Sequence, residues 1–171
     1  VSGEEKSFEF SIGEDVYKNL LDESVYMFYL QRCGCEVVDD NAGHKACHDS
    51  LATVYGTDEK IDVTGGWHDA GDHVKFGLPF SYSASTVGWG YYEFRDAYKE
   101  LGLDKHVEDE MRWANDYFMK ATYLDDEDKV VAYCYQVGEG NNDHNYWCPP
   151  ELQVDGTFVA SSSCGVKRPA Y

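Results

Sequence analysis

Two carboxylates, Asp69 and Asp72, stand three residues apart in the run Gly65-Gly66-Trp67-His68-Asp69-Ala70-Gly71-Asp72-His73-Val74-Lys75-Phe76-Gly77-Leu78-Pro79. Acids held this close repel each other's charge, which separates their pKa values and lets one act while the other supports it. The glycines let the backbone bend and let a ligand approach it closely. Taken alone, the spacing fits a solvated turn or a helix cap as readily as a site. A second group has a different chemistry: Cys33, Cys35, His44, Cys47 and His48 fall within one short stretch. Zinc takes four ligands from Cys and His, but this spacing matches no common zinc finger. A disulfide through Cys47, or buried inert thiols, stay open beside it. Cys134, Cys148 and Cys164 are dispersed, and a Cys148–Cys164 disulfide is one reading of them.

The bulk numbers narrow the partners. The chain has 171 residues, 32 acidic against 14 basic, for a net charge of −18. So negative a surface repels phosphate backbones, which argues against nucleic acid. Anionic membrane surfaces are disfavoured for the same reason. A neutral polymer such as a glucan meets no such penalty. No apolar run of about 18 residues is present, so no membrane span is expected. The chain opens at Val1 without the charged and apolar regions of an export signal, so such a signal is expected to have been removed or never present. Aromatics make up 15% of the sequence, with 14 Tyr, 8 Phe and 4 Trp. Rings at that density serve a core, or a groove in which the apolar face of a sugar stacks.

The elements that must hold these residues are helical. Residues 1–12 read as an extended lead-in, with a short strand over 7–12. From Asp15 to about Arg32 the apolar period is helical, with Tyr17, Leu20, Leu21, Ser24, Met27 and Phe28 on one face. Residues 33–66 read as a long loop, which inside a compact domain is usually functional. A second helix is expected from Ser83 to Leu101, stopped by Gly102. A third is expected over 105–122, burying Val107, Met111, Ala114, Phe118 and Ala121. Its first turns carry Glu108, Asp109 and Glu110, favourable to the helix dipole. Residues 123–171 read mainly as loops, with an acidic turn at 125–128. The fold expected is all-α, with the unusual residues on loops.

The run at 65–79 resembles the signature of family 9 glycoside hydrolases, and the likeness continues in Trp89-Gly90-Tyr91-Tyr92-Glu93-Phe94. A second block agrees: Tyr135-Gln136-Val137-Gly138-Glu139-Gly140, then Asp143-His144-Asn145-Tyr146-Trp147, Pro149, Pro150 and Glu151. A third is Lys167-Arg168-Pro169-Ala170-Tyr171. The resemblance implies an (α/α)6 barrel that cleaves β-1,4-glucans such as cellulose with inversion, as a secreted, extracellular, endo-acting enzyme. Residues 13–171 would then be the N-terminal portion of the catalytic domain, a partial barrel with long functional loops, and the remainder of that domain its partner. Inversion needs one carboxylate to activate water and a second acid roughly 6.5–9.5 Å away to protonate the leaving oxygen.

By the same resemblance Asp72 is the general base, Asp69 helps hold the water, and His144 and Trp147 contact the sugar chain. On its own evidence Trp147 is as readily a core residue. The family's proton donor is a Glu far towards the C-terminus. Glu139 and Glu151 do not occupy the matching region, so no donor is assigned here, and the chain by itself is expected to lack half of the machinery. A subset of the family carries a similar cysteine segment and binds zinc there. The ligand set this implies is Cys33, Cys47, His48 and His68, with Cys35 and His44 in reserve. His68 is included because many relatives without the cysteines carry Tyr at that position. Calcium sites of the family lie mostly beyond this stretch. Two rival readings are a non-catalytic glycan-binding protein and a structural zinc-stabilised domain with an incidental acidic loop; retention of both Asp69 and Asp72 speaks against the first.

Overall fold

The computed structural model describes residues 9–10, 12–33, 51–54, 56–70, 72–145 and 170–171. Helix α1 (Glu14–Leu30) forms close to the expected bounds, but it buries only part of the expected face. Val25 is 6% exposed and packs with Tyr98, Leu103 and Val107, joined at the edge by Leu21. Tyr17 is 78% exposed, and Leu20 and Met27 are exposed too. Of the expected face, Leu21 and Phe28 pack against the core, and Tyr17, Leu20 and Met27 do not. Apolar residues encircle much of this helix, so long-range packing rather than the helical period selects the stripe that is covered.

Helix α2 (Gly77–Glu93) begins before the expected Ser83. Pro79 sits in its first turn, where a missing N–H leaves no ladder bond unmade. The helix gives way at Phe94 to a separate short helix, α3 (Arg95–Glu100), instead of running on to Leu101. Gly88 and Gly90 lie in the last turns of α2, and each glycine weakens a helix by about 1 kcal/mol relative to Ala. Helix α4 (Asp104–Lys120) follows the expected pattern. Val107, Ala114 and the adjoining Ala121 are fully buried, with Met111 and Phe118 packed at the edge of the core.

Short antiparallel strand pairs add to a framework that is mainly helical, as expected. Among the described residues, β1 (Leu51–Thr53) pairs with β2 (Lys60–Asp62), β3 (Lys75–Phe76) with β6 (Gln136–Val137), and β4 (Thr122–Leu124) with β5 (Val130–Tyr133). The acidic turn is present between β4 and β5: the Asp125 carboxylate accepts the N–H groups of Glu127 and Lys129, each at 2.9 Å. A short helix, α5 (Gly140–His144), follows β6. Of the expected lead-in strand, Glu9, Phe10 and Ile12 are described and lie outside any strand. Among the described residues no helix is long and apolar enough to cross a membrane.

The core is built around rings. Trp67 lies 4.8 Å from Phe28 and 5.1 Å from Phe80, centroid to centroid, and Phe80 lies 5.2 Å from Tyr117. Trp67 is therefore a packing residue that fastens the carboxylate loop to α1, α2 and α4 at once. Truncating such a ring costs about 3–5 kcal/mol.

Candidate active site

The carboxylate loop is held at both ends. Before it, Arg32 and Trp67 form an antiparallel bridge. Cys33 N–H donates to the Gly66 carbonyl at 2.8 Å and His68 N–H to the Gln31 carbonyl at 3.4 Å. Gly66 adopts φ +73°, and a Cβ there would stand 2.7 Å from a Phe80 ring carbon. Only glycine meets both demands without strain. After the loop, Lys75 opposes Val137 and Phe76 opposes Gln136 in the β3–β6 pair. Gly77 N–H donates to the Tyr135 carbonyl at 2.7 Å, and a side chain at Gly77 would strike that oxygen at 2.6 Å. Val137 also bridges to Ala170, while Tyr135 N–H donates to Tyr171 O at 2.8 Å. The three separated blocks of sequence that carried the resemblance are thus joined by backbone hydrogen bonds.

Within the loop, Asp69 N–H donates to the Val74 carbonyl at 2.9 Å, closing the segment that bears both acids. Asp72 is 5% exposed, whereas Asp69 is exposed as a residue at the rim. Loss of hydration around the Asp69 carboxyl raises its pKa above the ordinary value, and the nearby charge of Asp72 raises it further. Asp69, His68, Trp67, Phe28 and Gln31 border a cavity of about 160 Å³. Small-molecule clefts usually enclose roughly 300–1,000 Å³, so the described residues form a wall of a site rather than a closed pocket. A larger space of about 590 Å³ opens between α1 and α4 and is bordered by none of the expected site residues.

Several residues that shape the site had no signal in the sequence. Lys75 is 1% exposed, and its ammonium donates to the carbonyls of Val63 and, at 3.1 Å, Gly65. It also lies 3.9 Å from Cys33 Sγ and 4.9 Å from the Tyr117 ring centroid. His73 is buried, with its ring 5.2 Å from that of His68. Glu110, read from the sequence only as favourable to the dipole of α4, is buried and paired with Arg32. Such contacts join residues far apart in the chain, and a single sequence displays no periodicity that would reveal them.

The other expected residues are placed less completely. His144 closes α5. Trp147, Cys47 and His48 lie outside the described residues, as do the reserves Cys35 and His44 and the Cys148–Cys164 pair. Cys33 and His68 flank the Arg32–Trp67 bridge, so the backbone brings these two members of the expected ligand set onto adjacent segments. Cys33 is disulfide-bonded, and a sulfur in that state is not the thiolate that zinc binds. Cys33 and His68 have the donor chemistry that zinc takes, Cys33 only as the reduced thiolate. Among the described residues no group of three or more His, Cys, Asp or Glu side chains converges on one point.

The chain matches the family model described as Glycosyl hydrolase family 9 over residues 17–171. It is 41% identical over 136 residues to "Endoglucanase 4" of Bacillus sp. (strain KSM-522), covering 80% of this chain and 20% of that protein. Among solved structures it resembles the catalytic domain of Clostridium thermocellum CelT, with a TM-score of 0.74 and 37% identity, over 91% of this chain and 34% of that one. It also resembles C. thermocellum endoglucanase CelQ complexed with cellobiose and cellotriose, with a TM-score of 0.64 and 29% identity, over 91% and 22%. The chain thus spans between a fifth and about a third of these proteins. With the match running through all three joined blocks, the chain belongs to glycosyl hydrolase family 9.

Proposed function

We propose that this chain supplies the water-activating side of an inverting, endo-acting β-1,4-glucanase acting on cellulose or a related β-glucan. The observation that carries the reading is the closed loop from Asp69 to Val74, which keeps two mutually repelling carboxylates together, with Asp69 at the border of a cavity. Asp72 acts as the general base, taking a proton from the water that attacks the anomeric carbon. Asp69 orients that water. The glycosidic oxygen leaves with a proton from an acid on the other face of the bond, contributed by a part of the catalytic domain outside this chain. His144 and Trp147 contact the sugars beside the cleaved bond. Endoglucanase relatives, and the cello-oligosaccharides bound by the CelQ structure, support the substrate class. An extracellular setting suits a polymer of that size.

The chain forms the first part of an (α/α)6 barrel. The exposed apolar stripe of α2, which includes Leu78, Tyr82, Trp89 and Tyr92, faces the helices that complete it. Cys33, Cys47, His48 and His68 would hold a structural zinc between the end of α1 and the carboxylate loop. When bound, it would supply a crosslink and take no part in bond cleavage.

Proton NMR of the first sugars released from a soluble β-glucan by the complete catalytic domain tests the stereochemistry. The α-anomer should appear first and then mutarotate. Initial release of the β-anomer would contradict inversion.

A further inference from the structure

Arg32 lies outside the carboxylate loop, yet the loop's position runs through it. Its guanidinium is buried and forked: Nε donates to Glu110 Oε2 at 3.1 Å, and one terminal nitrogen reaches Asp109 Oδ2 at 2.6 Å and Glu110 Oε1 at 2.8 Å. The same group lies over two rings, 4.9 Å from Trp113 and 5.3 Å from Tyr29. Trp113 in turn donates its indole N–H to the Gly66 carbonyl at 3.0 Å. That oxygen also accepts Cys33 N–H, next to the bridge between Arg32 and Trp67. A continuous chain of contacts therefore links Glu110 to Arg32, to Trp113, to Gly66, and so to the start of the loop that carries Asp69.

We infer that Arg32 is a positioning residue for the Asp69–Asp72 loop, acting through Trp113 and the Gly66 carbonyl. This rests on the reading of those carboxylates as the water-activating pair. A buried ion pair is a poor source of stability, since well-packed apolar residues in its place are often neutral or better. What a planar, forked guanidinium supplies is orientation, because it engages carboxylates and ring faces at fixed angles that an aliphatic side chain does not impose. Here the guanidinium lies over the Trp113 ring whose N–H reaches Gly66, and so bears on the direction of that N–H. Gly66 stands where the loop begins, at φ +73°, and the packing of Phe80 and Tyr117 leaves no room for a side chain there.

The test uses the complete catalytic domain and a soluble β-glucan, with thermal unfolding measured beside kcat and KM. Arg32→Met should lose stability and lower kcat on the order of 10²-fold, the scale of a catalytic group misplaced by about an ångström, with KM little changed. Arg32→Met/Glu110→Met removes both charges and should regain stability without regaining kcat. Trp113→Phe keeps an aromatic face but removes the N–H together with part of the indole, and should lower kcat in the same direction with KM held. Arg32→Lys, which keeps the charge without the fork, should not rescue. Wild-type kcat in the double variant, or in Trp113→Phe, would overturn the inference, and these two variants decide it even if Arg32→Met alone fails to fold. Asp72→Asn is measured alongside. If it turns over normally, the reading of the carboxylates fails; if it is inactive while the double variant is fully active, only the role of Arg32 fails.

Discussion

The backbone N–H of Asp69 donates to the carbonyl of Val74 at 2.9 Å, so the loop bearing both carboxylates closes on itself before β3 begins. The bridge to Arg32 fixes one end of that loop and the β3–β6 pair fixes the other. Its position depends on glycines and buried cations more than on the acids themselves.

Gly66 gives the most local test of this arrangement. Gly66→Ala would place a methyl 2.7 Å from the Phe80 ring at a φ of +73°. Strained left-handed residues cost of order 1–3 kcal/mol each, and the ring clash adds to that. The melting temperature of the complete domain should fall by several degrees. An unchanged melting temperature would show that the turn relaxes freely.

The Arg32–Glu110 pair carries a pH signature. Burial raises the pKa of Glu110, and the hydrogen bond and charge of Arg32 oppose that rise without cancelling it. Arg32 is raised in spite of its own burial, because both acids favour its charged form. The two shifts point to attraction between the partners and, for the acid, a burial cost larger than the attraction. A raised folded-state pKa gives stability that is fully present below the unfolded value of about 4.3 and is lost as pH rises through the folded value. Urea unfolding from pH 4 upward should therefore show wild-type stability falling relative to Glu110→Gln as pH rises. A relative gain with rising pH would contradict this.

Parts of this structure were legible in the sequence and parts were not, for physical reasons. Helix α4 was readable because Val107, Ala114 and Ala121 recur at two-turn spacing, and all three are fully buried. The stripe that α1 buries was not, because Tyr17, Leu20 and Met27 offer an equally apolar face that the described residues leave exposed. The strand pairs are two to four residues long, too short for alternation to show. The carboxylate loop stood out because its chemistry is local. Arg32 and Glu110 are 78 residues apart, so only tertiary structure discloses their pairing.

The metal proposal and the disulfide at Cys33 exclude each other at that sulfur, which makes them separable. Zinc would be lost to a strong chelator with a fall in melting temperature, and Cys33 would then alkylate as a free thiol on unfolding. Elemental analysis should give one zinc per chain, and Cys47→Ser should lower stability more than it alters the pH profile of hydrolysis. Absence of zinc, together with a Cys33 peptide that stays disulfide-linked under mass spectrometry, would remove the metal and leave the hydrolase reading in place.

The assignment of Asp72 as the base that activates water is tested most directly by the turnover of Asp72→Asn in the complete catalytic domain on a soluble β-glucan. The substitution keeps the shape of a side chain that is 5% exposed and deletes its capacity to take a proton. Folding should be retained, and kcat should fall by about 10²–10⁴-fold, the usual contribution of a general base. Near-wild-type turnover by the folded variant would contradict the assignment.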